Sequence, residues 1–292
     1  MAERLADLEA RVASVRQLST VISAMRGIAA VRSHEANARL AGIRAYAATV
    51  GTAIAQSLAL LPGRREAAPG GAEKSGRIVI ALCAEQGFVG AFNAHVLDAV
   101  AGIVGTDAQR HGMTSTQLFL LGGRGRALAE ERGITVDWSA PMASRVDQLA
   151  SLANRLADAL FDRLQAGHVC EVAIVYSRPS DAVHPAAVVE RRLLPFDYGR
   201  FPAVSTSLPP ILHLPPAALL ARLADEYVFA ELCEALTLSY AAENEARMHA
   251  MVAARENVAR KLDELSARSR RLRQEQITDE VIELAAGVQQ TG

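Results

Sequence analysis

Two glycine-rich turns are the segments of this sequence whose residue types and spacing could support chemistry. Residues 120–126 (LLGGRGR) follow a predicted strand and open a predicted helix, the position at which backbone amides bind phosphates. The turn lacks the third glycine of the dinucleotide fingerprint, and no Lys-Ser/Thr pair of a P-loop follows it. A tight strand-to-helix turn is therefore the favoured interpretation, and nucleotide binding is the alternative.

The second turn, residues 85–93 (EQGFVGAFN), also lies between a predicted strand and a predicted helix. Glu85 could act as a general base there, but the sequence places no His, Ser or Cys in an obvious triad or metal set around it. The pattern favours a structural loop. We expect Gly87 and Gly90 to adopt special backbone angles and Asn93 to cap or close the turn.

The remaining reactive residues form no recognisable site. The seven histidines are scattered without metal-ligand spacing, and Cys83, Cys170 and Cys233 lie far apart in apolar stretches, which is typical of buried, reduced thiols. Residues 268–273 carry four arginines that could bind nucleic acid, but without interleaved aromatic residues a protein partner is favoured. The sequence thus predicts no catalytic residue, no cofactor and no metal.

Composition limits the class of protein. The chain has 292 residues, of which 50% are hydrophobic, and a formal net charge of -1. That charge gives no overall basic field for holding nucleic acid or an anionic membrane. The sequence contains no apolar run of about 20 residues that would span a bilayer, and its acidic N-terminus lacks a signal-peptide core. We therefore predict a cytosolic chain.

Both ends of the chain are predicted to be long helices. Residues 2 to about 60 and 217 to about 286 contain no proline, and each carries apolar residues at alternating steps of three and four. The N-terminal series runs through Leu5, Leu8, Val12, Val15, Ile22 and Ala29 and includes Ser19 and Arg26. The C-terminal series contains Met248, Met251, Val258, Leu262, Leu265 and Leu272, with Arg255, Ser269 and Gln276 at its polar positions.

These two helices can pair as an antiparallel coiled coil, because the domain that separates them in sequence must have its two ends close together. Two alternatives remain open: independent surface helices, or helices that dimerise with another copy. Arg26 and Arg255 argue against a dry interface, because a buried unpaired charge is costly.

The middle of the sequence predicts an α/β domain. Short apolar runs at 77–83, 117–121 and 169–176, with a further candidate at 188–194, alternate with helical spacing at 93–104, 126–132 and 145–166. Alternating strands and helices imply a mostly parallel sheet. The predicted domains are residues 1–62 with 217–292 for the coiled coil, and 76–213 for the α/β domain. Pro62-Gly63 is expected to end the first helix, and residues 69–71 and 195–216 are expected to be linkers.

Four segments together resemble the γ subunit of F-type ATP synthases. Residues 273–287 (RQEQITDEVIELAAG) are similar to its C-terminal signature and residues 243–251 to its Ser-Glu-Gln-Ala-Ala-Arg-Met block. Residues 23–30 are similar to its Lys-Ala-Met segment and residues 85–93 to its Asp-x-Gly-Leu-Cys-Gly-Gly-x-Asn loop. The resemblance runs nearly end to end, although residues 20–22, 88–91 and the polar tail 289–292 depart from the family pattern.

The resemblance implies a central-stalk rotor subunit with a coiled-coil shaft and a Rossmann-like α/β foot domain. The implied partners are the α and β subunits of the catalytic hexamer, the ε subunit and the membrane c-ring. The chain itself would perform no chemistry, and the complex would lie on the cytoplasmic face of the inner membrane. A coiled-coil adaptor with a globular head is the alternative function.

The resemblance also assigns residues to partner contacts. Met25 matches the position where the N-terminal helix faces a β-subunit lever loop, and Arg247 matches an arginine near the same level. Arg273 and Gln274 match the pair that meets the β catch loop, with Thr278 and Glu280 one to two turns beyond. Gly87, Gly90 and Asn93 belong to the matched loop of the foot domain.

Overall fold

The computed structural model describes residues 2–61, 76–110, 116–167, 169–180, 186–202 and 211–290. Two long helices begin and end this part of the chain: α1 (Ala2–Ala59) and α5 (Pro216–Gln290). Both stretches lack internal proline and are rich in Ala and Leu, which favours uninterrupted helix. The predicted helices are confirmed to within a few residues at each end.

A five-stranded sheet lies between the two helices in sequence. Its strands are β1 (Gly76–Leu82), β2 (Thr116–Leu121), β3 (Trp138–Ala140), β4 (Val169–Arg178) and β5 (Ala187–Leu194). Their order is β3-β2-β1-β4-β5, and all neighbours are parallel except β4 and β5. The mostly parallel sheet is confirmed. The sequence missed β3, because three residues are too few to show a periodic pattern.

Strand β1 buries both of its faces. Ile78, Ile80 and Leu82 point into one core, which also contains side chains of α1 and α5. Val79 and Ala81 point into a second core on the opposite face. Successive side chains of a strand alternate between faces, so a strand covered on both sides must be apolar throughout.

Three shorter helices cover the sheet: α2 (Phe92–Arg110), α3 (Gly123–Glu131) and α4 (Leu149–Gln165), the last preceded by a 3₁₀ turn at Val146–Gln148. Side chains of α2 and α3 belong to the core around Val79, and those of α4 to the core around Ile80. The predicted layering of helices on a sheet is confirmed.

Residue contacts divide the chain into two compact units, residues 1–30 with 247–292 and residues 31–246. In the second unit α1 and α5 run antiparallel: Arg44 Nε donates to Glu234 at 2.8 Å, and the Tyr46 hydroxyl donates to Glu226 at 2.7 Å. The domain boundaries expected from sequence, at residues 62 and 217, remain a prediction, since the division by contacts falls within the two helices.

The first unit is an antiparallel pair of helix segments. Among its described residues, Leu8, Val12, Ile22 and Ala29 of α1 are buried, and Leu5 and Val15 are half-buried, which supports the predicted series on α1. Met251 of α5 is buried as well. The C-terminal series needs one correction. Arg255 is exposed and Ala254 is half-buried instead, so the contacting side of α5 passes beside the arginine. A guanidinium at this site therefore stays in water, as the cost of burying charge requires.

Two further expectations from the sequence differ from the structure. Cys83 is buried and Cys233 half-buried, and burial raises the pKa of their thiols to about 12 and about 11. Cys170, however, is exposed, so the expectation of three buried thiols is wrong. The expected helix end at residues 62–63 and the expected linker residues 69–71 and 203–210 lie outside the described residues. Residues 195–202 of the second expected linker are instead folded against α1 and α5.

Helix α3 approaches the end of β1 so closely that a side chain would not fit between them. A Cβ atom built on Gly125 would lie 2.1 Å from the Cβ of Cys83, far inside van der Waals contact. Gly105 on α2 has no atom within 4 Å of the same position. The glycine at 125 is therefore required by packing, and the glycine at 105 is not.

We expect Gly125→Ala to lower the free energy of unfolding by about 1–3 kcal/mol, because the methyl group overpacks the contact with Cys83. The control Gly105→Ala should raise it by up to about 1 kcal/mol, since alanine is the better helix former. Urea denaturation followed by circular dichroism measures both. Equal changes in the two variants would contradict the assigned contact.

Candidate functional site

Backbone amides of the glycine turn at residues 122–126 are satisfied by carbonyl groups of neighbouring segments. The Gly122 N–H donates to Ala140 O at 2.9 Å, and the Arg124 and Gly125 N–H groups donate to Ala84 O at 3.1 and 3.3 Å. Gly122 has φ 104°, and a Cβ there would lie 2.3 Å from the Cys83 carbonyl oxygen. These contacts support the interpretation as a tight strand-to-helix turn.

Glu85 occupies the place where a phosphate would bind. Its Oε2 accepts hydrogen bonds from the Gly123 N–H at 2.9 Å and from the Met142 N–H at 2.8 Å. The first N–H groups of a helix attract negative charge, and here the chain supplies its own carboxylate. Glu85 thus joins the end of β1, the start of α3 and the segment after β3, a role that sequence reasoning missed.

The loop at residues 87–93 is closed by Asn93, as expected. Its buried side chain accepts a hydrogen bond from the Ala84 N–H through Oδ1 at 2.8 Å. Gly90 has φ 57°, also as expected, but Gly87 does not take a positive φ. The residue that does is Phe88, with φ 62° and 68% of its surface exposed. The special backbone angle expected at Gly87 therefore occurs one residue later, and the expectation for Gly87 is wrong.

The residues matched to partner contacts on α5 lie mainly on the surface. Arg273, Gln274, Thr278 and Glu280 are exposed within one stretch of α5. Arg273 forms an ion pair with Glu9 of α1, so its guanidinium is already engaged within the chain. Opposite charges flanking an antiparallel helix contact are the sequence signal for this pair.

Met25 and Arg247 are placed differently. Met25 on α1 is half-buried, and Arg247 on α5 is only 5% exposed. The guanidinium of Arg247 therefore contributes little surface that a partner could contact. Residues 268–273 keep all four of their arginines exposed, as a partner-facing surface requires.

A second apolar series on α1 escaped the sequence analysis. Leu18, Val21 and Ile28 are 49%, 52% and 53% exposed, and together with Met25 they are spaced by three, four and three residues. On α5, Ile277, Val281 and Ile282 are 54–60% exposed. We call Leu18, Val21 and Ile28 of α1 the exposed apolar surface. The sequence signal for this surface is a second series of apolar residues, spaced by three and four. This series lies on a different face of α1 from the series that packs on α5.

The comparisons with known proteins agree with this geometry. A family model described as ATP synthase matches residues 4–290. The ATP synthase gamma chain of Rubrobacter xylanophilus is 32% identical over an alignment of 297 positions, which covers 98% of this chain and 97% of the relative. The chain belongs to the ATP synthase gamma-chain family. The gamma chain of Moorella thermoacetica is 28% identical and covers 96% of both chains.

Two solved structures contain chains with the same fold as this member of the gamma-chain family. A chain of the Euglena gracilis mitochondrial ATP synthase, in a structure of its OSCP, F1 and c-ring, matches with a TM-score of 0.62 at 11% identity, covering 99% of this chain and 94% of that one. A chain of the Tetrahymena thermophila mitochondrial central stalk and c-ring matches with a TM-score of 0.57 at 20% identity, covering 80% and 99%.

The sequence-based resemblance is thus confirmed, and the chain is a central-stalk subunit of an F-type ATP synthase. Among the described residues, no helix combines the length and the apolar character needed to cross a membrane.

Removing the Glu85 carboxylate should destabilise the chain. We expect Glu85→Ala to lower the free energy of unfolding by about 1.5–3 kcal/mol, the usual cost of losing hydrogen bonds to a charged group. Glu85→Gln should cost less, because its amide oxygen can still accept from Gly123 and Met142. Urea denaturation measures both, and an unchanged Glu85→Ala variant would refute the structural role. Saturable binding of ATP to the unmodified chain would instead support the nucleotide alternative.

Proposed function

We propose that this chain is the rotating shaft of its ATP synthase, transmitting torque between the membrane sector and the catalytic β subunits without performing chemistry itself. The observation that carries the proposal is the exposed apolar surface on the unit formed by residues 1–30 and 247–292. Leu18, Val21 and Ile28 lie beside, and not within, the buried contact between the two helices. Apolar side chains left in water in such a series indicate a surface that a protein partner covers.

The adaptor alternative gives this surface a different partner. A coiled-coil adaptor would cover it with a second copy of the chain, whereas a rotor shaft would present it to the subunits of the catalytic ring. Family membership favours the shaft. The partners we assign are the α and β subunits around the helix pair, with the ε subunit and the c-ring at the α/β domain. The complex would be a peripheral assembly on the cytoplasmic face of the inner membrane.

Five residues are assigned to contacts with β subunits: Met25 on α1, and Arg273, Gln274, Thr278 and Glu280 on α5. An approaching carboxylate of a partner loop can replace Glu9 as the counter-ion of Arg273. Both members of the Glu9–Arg273 pair are about half exposed, at 47% and 63%, so this exchange costs little free energy. An ion pair that exchanges its partner at little cost in free energy suits a contact that must form and break in every rotation of the shaft.

Arg247 is left out of this contact set because only 5% of its surface is exposed. The loop containing Gly87, Gly90 and Asn93 presents Phe88 to solvent, and we assign its partner contact to that ring. Asn93 then acts indirectly, by holding the loop on Ala84.

Charge on the exposed apolar surface should prevent assembly. We expect Val21→Asp with Ile28→Asp to abolish copurification of the tagged chain with the α and β subunits. Each substitution forfeits about 1 kcal/mol of apolar burial, because only about half of each side chain is still exposed. The two losses together exceed tenfold in affinity, and each also places an unpaired charge in the interface. Thr20→Asp, which puts the same charge on an exposed residue of α1 outside the surface, is the control. Recovery of a homodimer of the unmodified chain, free of α and β subunits, would favour the adaptor.

Truncating the matched pair on α5 should impair coupling. In the assembled complex, Arg273→Ala with Gln274→Ala should reduce ATP-driven ion pumping by about two- to fivefold, as expected for roughly 0.5–1 kcal/mol from exposed contacts. The control is Arg271→Ala, which removes an exposed arginine two residues away, and circular dichroism checks that each chain is folded. Unchanged pumping in the double variant would refute the assignment of this pair.

A further inference from the structure

Residues 195–202 form a strap that ties β5 to both long helices within the unit 31–246. Three aromatic rings of the strap, those of Phe196, Tyr198 and Phe201, pack against one another and against α1 and α5. The helix residues in this cluster are Val50, Ile54 and Leu58 of α1 and Leu220, Leu223 and Tyr227 of α5. The first part of the expected linker, residues 195–202, is thus an anchored segment.

Phe201 fits a notch that Gly51 leaves in α1. A Cβ atom on Gly51 would lie 3.0 Å from Cε1 of Phe201 and 3.7 Å from Cε2 of Tyr227. The rings of Phe201 and Tyr227 meet edge to face with centroids 4.9 Å apart. Glycine inside a helix costs about 1 kcal/mol relative to alanine, and the ring explains why it stands here. Gly42 lies nine residues earlier on α1, and a Cβ atom built on it would have no atom within 4 Å.

An ion pair fastens the strap to α5, and the same carboxylate of α5 also faces an arginine of the sheet. Arg200 donates to Glu231 at 2.9 Å and lies over the Tyr227 ring, 5.5 Å from its centroid. Glu231 is 4% exposed and also lies 4.0 Å from Arg191 of β5. Charged hydrogen bonds of this kind are stronger when they are partly buried, provided that both charges are paired.

The ionic contacts continue through Arg191 to α1. Arg191 donates to Glu234 at 3.1 Å, and Glu234 accepts from Arg44 of α1 at 2.8 Å. Burial alone would raise the pKa of Glu234, but hydrogen bonds from Arg44 and Arg191 outweigh it and the pKa is lowered. The carboxylate therefore stays ionised, and β5, α5 and α1 are joined by one continuous set of charges.

The strap attaches the helices at a level that the main core does not reach. That core includes Ala36 and Leu40 of α1, whereas the strap contacts α1 at Val50, Ile54 and Leu58. From Leu40 to Gly51 is roughly 16 Å along a helix at about 1.5 Å per residue. The two attachments act in parallel, so together they resist rotation of the sheet about the helices more strongly than either does alone.

From this geometry we propose that the strap is a torsional clamp. Torque that enters the α/β domain passes to the helix pair through the Phe201 notch at Gly51 and the Arg200–Glu231 pair as well as through the main core. Gly51, Phe201 and Glu231 are thereby positioning residues of the rotor. This inference rests on the proposed shaft function.

The test compares Gly51→Leu with Gly42→Leu in the complex of this chain with its α and β subunits. Leucine at 51 displaces the Phe201 ring, whereas leucine at 42 projects into open space. A bead is attached through Cys170, which is exposed on β4, while Cys83 is buried. With the catalytic ring immobilised and the motor stalled, the width of the bead's angular fluctuation reports torsional stiffness.

We expect a broader angular distribution for Gly51→Leu and an unchanged one for Gly42→Leu. Trypsin cleavage after Arg200 serves as an independent check, since release of the strap should accelerate it in the first variant alone. Faster cleavage with an unchanged angular width would overturn the clamp. An unchanged cleavage rate together with an unchanged width would show that the strap tolerates the leucine, which overturns the notch at Gly51.

Phe201→Ala with Glu231→Gln removes the same contacts without adding bulk, and it replaces Gly51→Leu if that chain fails to assemble. The double variant should broaden the distribution as well, and an unchanged width in it would overturn the clamp. Failure of the shaft function itself is recognised separately. In that case the unmodified chain would not join α and β subunits, or its bead would not rotate when ATP is added.

Discussion

The packing of one face of β1 against the two long helices is the interaction on which the rest of the structure depends. Ile78, Ile80 and Leu82 lie in the same core as Leu232 and Leu236 of α5. This burial joins the first and last segments of the chain to the sheet between them. The turn closed by Glu85, the loop closed by Asn93 and the strap all take their positions from the end of β1 or from the helices packed beneath it.

The helix pair at residues 1–30 and 247–292 is more thinly covered than the rest. Its α5 contact positions Val258, Leu262 and Leu265 are only half-buried, whereas Leu232 and Leu236 are fully buried among sheet residues. Two helices in contact leave most of each surface in water, so a second apolar series remains exposed. In the proposed shaft, this incomplete burial would leave surface on the helix pair for partner subunits.

The turn between β2 and α3 shows why a phosphate-binding motif is a weak signal by itself. Gly122 and Gly125 meet the geometric needs of close packing against Cys83, and the free amide of Gly123 is satisfied by Glu85. The same glycines would serve a nucleotide equally well. The deciding residue, Glu85, lies 38 residues away in the sequence, and only the parallel pairing of β1 with β2 brings it to the turn.

The sequence by itself determined the long helices, four of the five strands, the parallel sheet, the family and the loop closed by Asn93. These features depend on local periodicity, on turn residues and on motifs that are continuous in sequence. The tertiary structure alone decided the role of Glu85, the exposure of Arg255, the burial of Arg247 and the seating of Phe201 beside Gly51. Each depends on which residues distant in sequence become neighbours, because burial and charge pairing are properties of a contact between segments and not of either segment alone.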